Sequence, residues 1–290
     1  MFDLMEPRRD DRRLVRGRRF QLRLLTAPIR ALPDFYVLGA MKSGTSSLFH
    51  YICQNPDVAR PFRKETHFLS LGVRQGLGLG WYRAHFPIRA RLAGKRTGEA
   101  TPDYLFEAPA LHRLHQIRPD ARMIVVLRDP VARAVSHFQH EVRMGRETMS
   151  LEDAMMQEDA RIAHAEAAGQ AGLETVLHAS YRRRGQYAEQ LERLFQLFPR
   201  DKVLVVWSTD LFKDPVETMA RVFAFLDLPD VSKDLQFAVK NAATSKVAAS
   251  PAVVDSLRSH YRSHDARLAE LLGVSVPWSQ GVVMHGSDPG

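Results

Sequence analysis

The chain has 290 residues, 45% hydrophobic and 26% charged, the balance of a soluble globular protein with one or two domains. Its single cysteine, Cys53, excludes an intramolecular disulfide framework and a multi-cysteine zinc site. Lys+Arg number 41 against 33 Asp+Glu, and the net charge of +8 points to an anionic partner without naming it.

Residues 1–33 read as a basic leader, with nine arginines in the first thirty positions against Asp3, Glu6, Asp10 and Asp11. Leucines and arginines alternate irregularly there, which predicts a flexible arm, disordered or loosely docked. A peripheral membrane-surface helix is the sharper alternative. A nucleic-acid arm finds no nucleic-acid module downstream, so no nucleic-acid partner is expected. The sequence has no apolar run long enough for a transmembrane helix or an export signal, and the expected location is the cytoplasm.

From residue 34 to 280 the pattern is that of a single domain, with 281–290 as a tail. The run Phe35-Tyr36-Val37-Leu38-Gly39 predicts a buried strand, followed by a small-residue loop and a helix through Leu48, Tyr51 and Ile52. Residues 72–80 are glycine-rich and read as a mobile loop. A second strand, Met123–Leu127, leads into Arg128-Asp129-Pro130 and a helix through Val131, Val135 and Phe138. Asp129 suits the N-cap and Pro130 the first helical position. Residues 150–180 read as a polar helical insertion. A third strand, Val203–Trp207, lies between amphipathic helices, and residues 252–273 form a last helix that ends at Gly273. Short apolar strands separated by helices predict an α/β fold, a central parallel sheet flanked by helices.

The chemistry concentrates at 39–47. A loop between a buried strand and a helix start binds phosphate or sulfate through backbone N–H groups and the helix dipole. Gly39 and Gly44 have the spacing of the nucleoside-triphosphatase loop, but Thr45 stands where that loop has its lysine, and the lysine is instead at Lys42. No apolar strand ends in an acid placed for magnesium; the second strand ends in Arg128. Ser136 follows two turns along the next helix, and together Arg128 and Ser136 make a second anion site. Taken singly, Arg128 could simply pair with a local acid. Two anion features at adjacent strand ends favour a nucleotide with phosphates at both ends.

In order and spacing, these segments resemble PAPS-dependent sulfotransferases. Phe35-Tyr36-Val37-Leu38-Gly39-Ala40-Met41-Lys42-Ser43-Gly44-Thr45-Ser46-Ser47-Leu48 is similar to their 5′-phosphosulfate loop, and Val125–Ser136 to their 3′-phosphate segment. Lys64-Glu65-Thr66-His67-Phe68, Gly98–Leu105, Arg184–Leu191, Phe225–Pro229 and Leu271–Trp278 add a likeness to the heparan sulfate sulfotransferase branch. The resemblance covers about residues 35–278. It implies a P-loop-kinase-like fold, PAPS as sulfuryl donor, PAP as product, and no metal. It assigns Lys42, Ser43, Gly44, Thr45, Ser46 and Ser47 to the 5′-phosphosulfate, Arg128 and Ser136 to the 3′-phosphate, and Tyr187 with the Gly185 backbone to the nucleotide. Ala100 stands where some glycan-sulfating relatives have lysine, and Asn241, Ser245 and Lys246 only loosely replace the usual lysine- and glycine-rich nucleotide loop.

The function implied is transfer of the sulfuryl group to a hydroxyl or amine, with a carbohydrate or other hydroxylated molecule as partner. Lys42 would follow the leaving-group charge, and Glu65 would act as base, with His67 as the alternative base or as the group that orients Glu65. The plainer reading of Glu65 is a surface ion pair with Lys64 or Arg63. Glu99 and Asp103 are weaker candidates for substrate contact, and His137, His140 and His164 read as solvated or structural. Two other readings stay open at this point: a P-loop nucleotide kinase, which would need magnesium, and a non-catalytic binder of PAP or polyanions.

Overall fold

The structure is a computed structural model that describes residues 17–238 and 249–279. In chain order its main elements are α1 (Arg18–Leu25), β1 (Phe35–Gly39), α2 (Thr45–Ile52), α3 (Leu79–Arg83), β2 (Gly98–Glu99), α4 (Ala108–Ile117), β3 (Arg122–Leu127) and α5 (Pro130–Arg143). There follow α6 (Leu151–Met156), α7 (Glu158–Ala167), α8 (Leu173–Ala179), α9 (Tyr187–Leu197), β4 (Val203–Trp207), α10 (Ser208–Lys213), α11 (Pro215–Phe225) and α12 (Pro251–Leu272).

All strands pair in parallel, in the order β2-β1-β3-β4. Alternate residues of each strand feed opposite faces. Tyr36 and Leu38 of β1, with Met123, Val125 and Leu127 of β3, pack on Leu111 and Leu114 of α4 and on Leu191 and Leu194 of α9. Phe35 and Val37, with Ile124 and Val126, pack on Leu48 and Ile52 of α2 and on Met219, Val222 and Phe223 of α11. A third cluster joins Val131 and Phe138 of α5 to Leu151, Ile162, Leu257 and Tyr261. Covered on both faces, the strands need no polar alternation, which is why they read as unbroken apolar runs.

Three features depart from the sequence reading. The sheet has a fourth strand, β2, only two residues long and paired to Phe35 and Tyr36. Residues 17–33 are not a loose arm: Phe20 is fully buried, and Arg23 donates to the carbonyls of Ala84 (2.5 Å) and Phe86 (2.8 Å). The glycine-rich stretch is bracketed by short helical pieces, a π-helical turn at Phe68–Gly72 and α3, whose N-cap is Gly78.

In the order β2-β1-β3-β4 the chain leaves the carboxyl end of β1 toward β2 and that of the adjacent β3 toward β4, in opposite directions. A crevice therefore opens between the carboxyl ends of β1 and β3, the usual ligand position in such sheets.

Candidate active site

The loop after β1 enters that crevice. Gly44 is the N-cap of α2 and supplies no side-chain cap, so the first-turn N–H groups of the helix receive none from it. Its φ of +104° and the Phe212 ring 3.1 Å from where a Cβ would sit both demand glycine. Lys42 itself is left-handed, with φ 67°, a strained setting for a non-glycine residue. Ser43, Thr45 and Ser47 are buried, whereas Lys42 and Ser46 are half-buried. The Ser43 N–H is taken by the Ala40 carbonyl at 3.2 Å.

Arg128, at the end of β3, closes the crevice from the other side by donating to the Lys42 carbonyl at 3.1 Å. The local acid that could neutralise it is committed elsewhere. Asp129 accepts from Val131 N as the cap of α5, and both its carboxylate oxygens accept from Arg258 of α12, at 2.8 and 2.6 Å. Among the described residues neither Lys42 nor Arg128 has a carboxylate at ion-pair distance. Burial, with Arg143 and Arg128 near by, pushes the Lys42 ammonium pKa down; burial also lowers that of Arg128. Unpaired, partly desolvated cations beside an uncapped helix start suit a bound phosphate or sulfate. Ser136 is half-buried on α5. Tyr187, expected beside the nucleotide, is buried beneath the crevice; its hydroxyl donates to the Arg128 carbonyl at 2.9 Å and so supports that strand end.

Glu65 and His67 arrive from the segment between α2 and the π-helical turn. Lys64 donates to Ser46 Oγ at 2.7 Å and also to Glu65, tying this segment to the loop. His67 is left-handed, with φ 52°, and lies between two carboxylates: Nε2 is 3.6 Å from Glu65 Oε2 and Nδ1 is 3.0 Å from Asp103 Oδ2. The other Asp103 oxygen meets the buried Arg184 at 2.9 Å. Burial opposes charge on Glu65, but Lys64 and the imidazolium outweigh it and hold its pKa near about 2. Burial likewise opposes charge on His67, yet Asp103 and Glu65 raise its pKa to about 10. The two flanking carboxylates therefore favour the charged form of the ring.

The weaker candidates resolve differently. Glu99 is fully buried and accepts from Thr66, Thr101, Tyr104 and Tyr82, so it is a structural hub out of reach of any substrate. Asp103 is a member of the Glu65–His67 chain rather than a surface contact. His137 is buried beside Glu141, 3.6 Å away, while His164 is exposed. Asn241, Ser245 and Lys246 lie outside the described residues. Sequence reasoning missed Arg258 and Arg184, because neither sits near its carboxylate in the chain, and it saw Lys64 only as a neutralising neighbour of Glu65.

Comparison with known proteins shows the family. The sulfotransferase domain model matches residues 32–266. Heparan sulfate glucosamine 3-O-sulfotransferase 6 of Homo sapiens is 31% identical over 208 residues, covering 72% of this chain and 56% of that protein. Its Mus musculus counterpart is 30% identical over 271 residues, 86% of this chain and 74% of that one. The chain spans about half the length of other such relatives. The crystal structure of a sulfotransferase from Alicyclobacillus acidocaldarius aligns with a TM-score of 0.69 and 28% identity, over 86% of this chain and 99% of that chain. A matched domain that starts just before β1 and runs well into α12 encloses the whole crevice, and this chain belongs to the sulfotransferase family, whose enzymes draw on PAPS.

Proposed function

We propose that this chain moves the sulfuryl group of PAPS to a hydroxyl or amine of a carbohydrate or glycolipid acceptor by in-line transfer, without a metal. The observation that carries the reading is the pair Lys42 and Arg128, which come from adjacent strand ends and, among the described residues, have no carboxylate at ion-pair distance. PAPS supplies an activated sulfur at one end and a 3′-phosphate at the other. On this reading the loop N–H groups, Lys42 and Ser46 hold the first. On the same reading Arg128 and Ser136 hold the second.

Glu65 accepts the acceptor's proton on a carboxylate oxygen. A pKa near about 2 keeps it in the base form at every working pH, at the cost of weak basicity. Positioning and charge stabilisation then supply most of the acceleration, with Lys42 countering charge on the leaving oxygen. The named relatives are heparan sulfate sulfotransferases, and their acceptor class is the source of the glycan reading. An open cleft of about 590 Å³, lined by Arg74, Arg113, Glu166 and Gln170 among others, is large enough for sugar units. Ala100 is fully buried, and Arg74 is paired with Glu107, so Arg113 is the cation this cleft would offer a glycan.

The test is incubation with labelled PAPS and a panel of glycan, glycolipid, small-alcohol and tyrosyl acceptors, with and without a chelator. Label should enter a glycan class, unaffected by the chelator, and Lys42→Ala should reduce transfer by on the order of a hundredfold or more. Label in none of the acceptors, with PAP bound normally, would identify a binder instead.

A further inference from the structure

A second cationic cleft lies at the β2 edge of the molecule. Arg23, Arg30, Arg60 and Arg91, with Phe62 and Ile88, line a space of about 290 Å³. It is not part of the nucleotide crevice: Arg60 donates to the carbonyl of Cys53, which follows the last residue of α2, whereas the Lys42 loop precedes the first. The eight residues of α2 separate them by about 12 Å.

None of the four arginines has an acidic partner among the described residues. Arg23 is clipped to backbone carbonyls and lies over the Phe62 ring, 5.1 Å from its centroid. Arg30 is only 7% exposed; its Nε donates to Thr26 and to the Arg23 carbonyl, and its Nη1 to the Phe86 carbonyl. Arg91 is exposed and makes no side-chain hydrogen bond among the described residues. Burial and the neighbouring Arg30 push the Arg23 pKa down to about 10, and burial and Arg91 lower that of Arg30. Four like charges held together without an acid repel one another, and an anion in their midst removes that repulsion.

The same edge carries an aliphatic surface. Leu22 and Leu25 on the outer side of α1 are 64% and 79% exposed, and Ile29 on the following turn is 57% exposed. Arg18 and Arg19 are exposed on the same helix. A soluble anion would use the arginines and leave the leucines in water. A phospholipid surface offers phosphate to the first and an acyl boundary to the second. We propose that this edge seats on an anionic bilayer, with a lipid phosphate in the arginine cleft and Leu22, Leu25 and Ile29 in the boundary between headgroups and chains.

Cosedimentation of the full chain with vesicles of phosphatidylcholine alone, or with added phosphatidylglycerol, tests this. Binding is expected only to the second kind, and to weaken with salt. Arg91→Glu and the double change Leu22→Ser, Leu25→Ser alter exposed side chains far from Lys42. Each should weaken vesicle binding by on the order of tenfold, with melting temperature and PAP binding unchanged. Absence of binding to phosphatidylglycerol vesicles would overturn the proposal, as would full-strength binding by both variants. So would Arg91-dependent binding of inorganic phosphate without any vesicle binding, which would make the cleft a site for a soluble anion.

Discussion

Glu65, His67 and Asp103 alternate in charge along one chain, and each end is anchored by a further cation, Lys64 at one and Arg184 at the other. Removing an anchor should therefore be read at its neighbour. Lys64→Met removes the charge that holds the Glu65 pKa down, so the acid limb of the kcat/KM profile should rise by roughly one to two pH units. An unchanged acid limb would separate Glu65 from the proton transfer. His67 makes a second prediction, on stability. Its pKa is about 10 in the folded chain against 6.5 for the free side chain. Its contacts contribute fully below about pH 6.5, fade as the unfolded ring loses its proton, and are gone above about pH 10. The melting temperature of the natural chain should fall between these limits more steeply than that of His67→Gln. The ion pair of Glu65 with Lys64 was legible from spacing alone, whereas only the family resemblance of Lys64-Glu65-Thr66-His67-Phe68 singled out Glu65 and His67 as candidates. Their protonation was not legible, because Asp103 and Arg184 reach them only through the fold.

At the scale of elements, legibility followed hydrophobic pattern. β1, β3 and β4 are buried on both faces and read directly as apolar runs, and α12 read directly from its spacing. β2 has no apolar run: its glycine is there because a Cβ at Gly98 would lie 2.3 Å from the Phe35 ring, and its glutamate is the hub for Thr66, Thr101 and Tyr104. α1 escaped because a single buried side chain, Phe20, and arginine-to-carbonyl bonds dock it, rather than a hydrophobic stripe. The loop between β1 and α2 gives this scale its prediction. Gly44→Ala puts an alanine at φ +104° against Phe212, which should cost about 1–3 kcal/mol in stability and weaken PAP binding at least tenfold. Denaturant melts and calorimetry would check both. Retained PAP affinity would show that the loop does not hold the nucleotide.

The whole molecule enters the site through α12. Arg258 reaches from this helix to donate to both oxygens of Asp129, and in doing so competes with the neighbouring Arg128 for that acid. Arg258→Ala should weaken PAP binding about tenfold although Arg258 itself need not touch the nucleotide, because Asp129 becomes free to neutralise Arg128. Adding Asp129→Asn should restore most of the loss, since the amide oxygen can still cap α5. Titration of PAP into the two variants measures the coupling. No recovery in the double variant would assign Arg258 a direct contact instead. Third-cluster packing of Leu257 and Tyr261 against α5 fixes the helix that carries this arginine.

That arrangement also bears on how the protein is made. A ribosome delivers β1, β3 and Asp129 long before it delivers Arg258. Until α12 emerges and docks, the acid is at liberty to quench the guanidinium beside it. A chain synthesised only as far as α5 would thus bind the nucleotide poorly even with both proposed anion-binding segments already exposed, and tight capture would wait for α12.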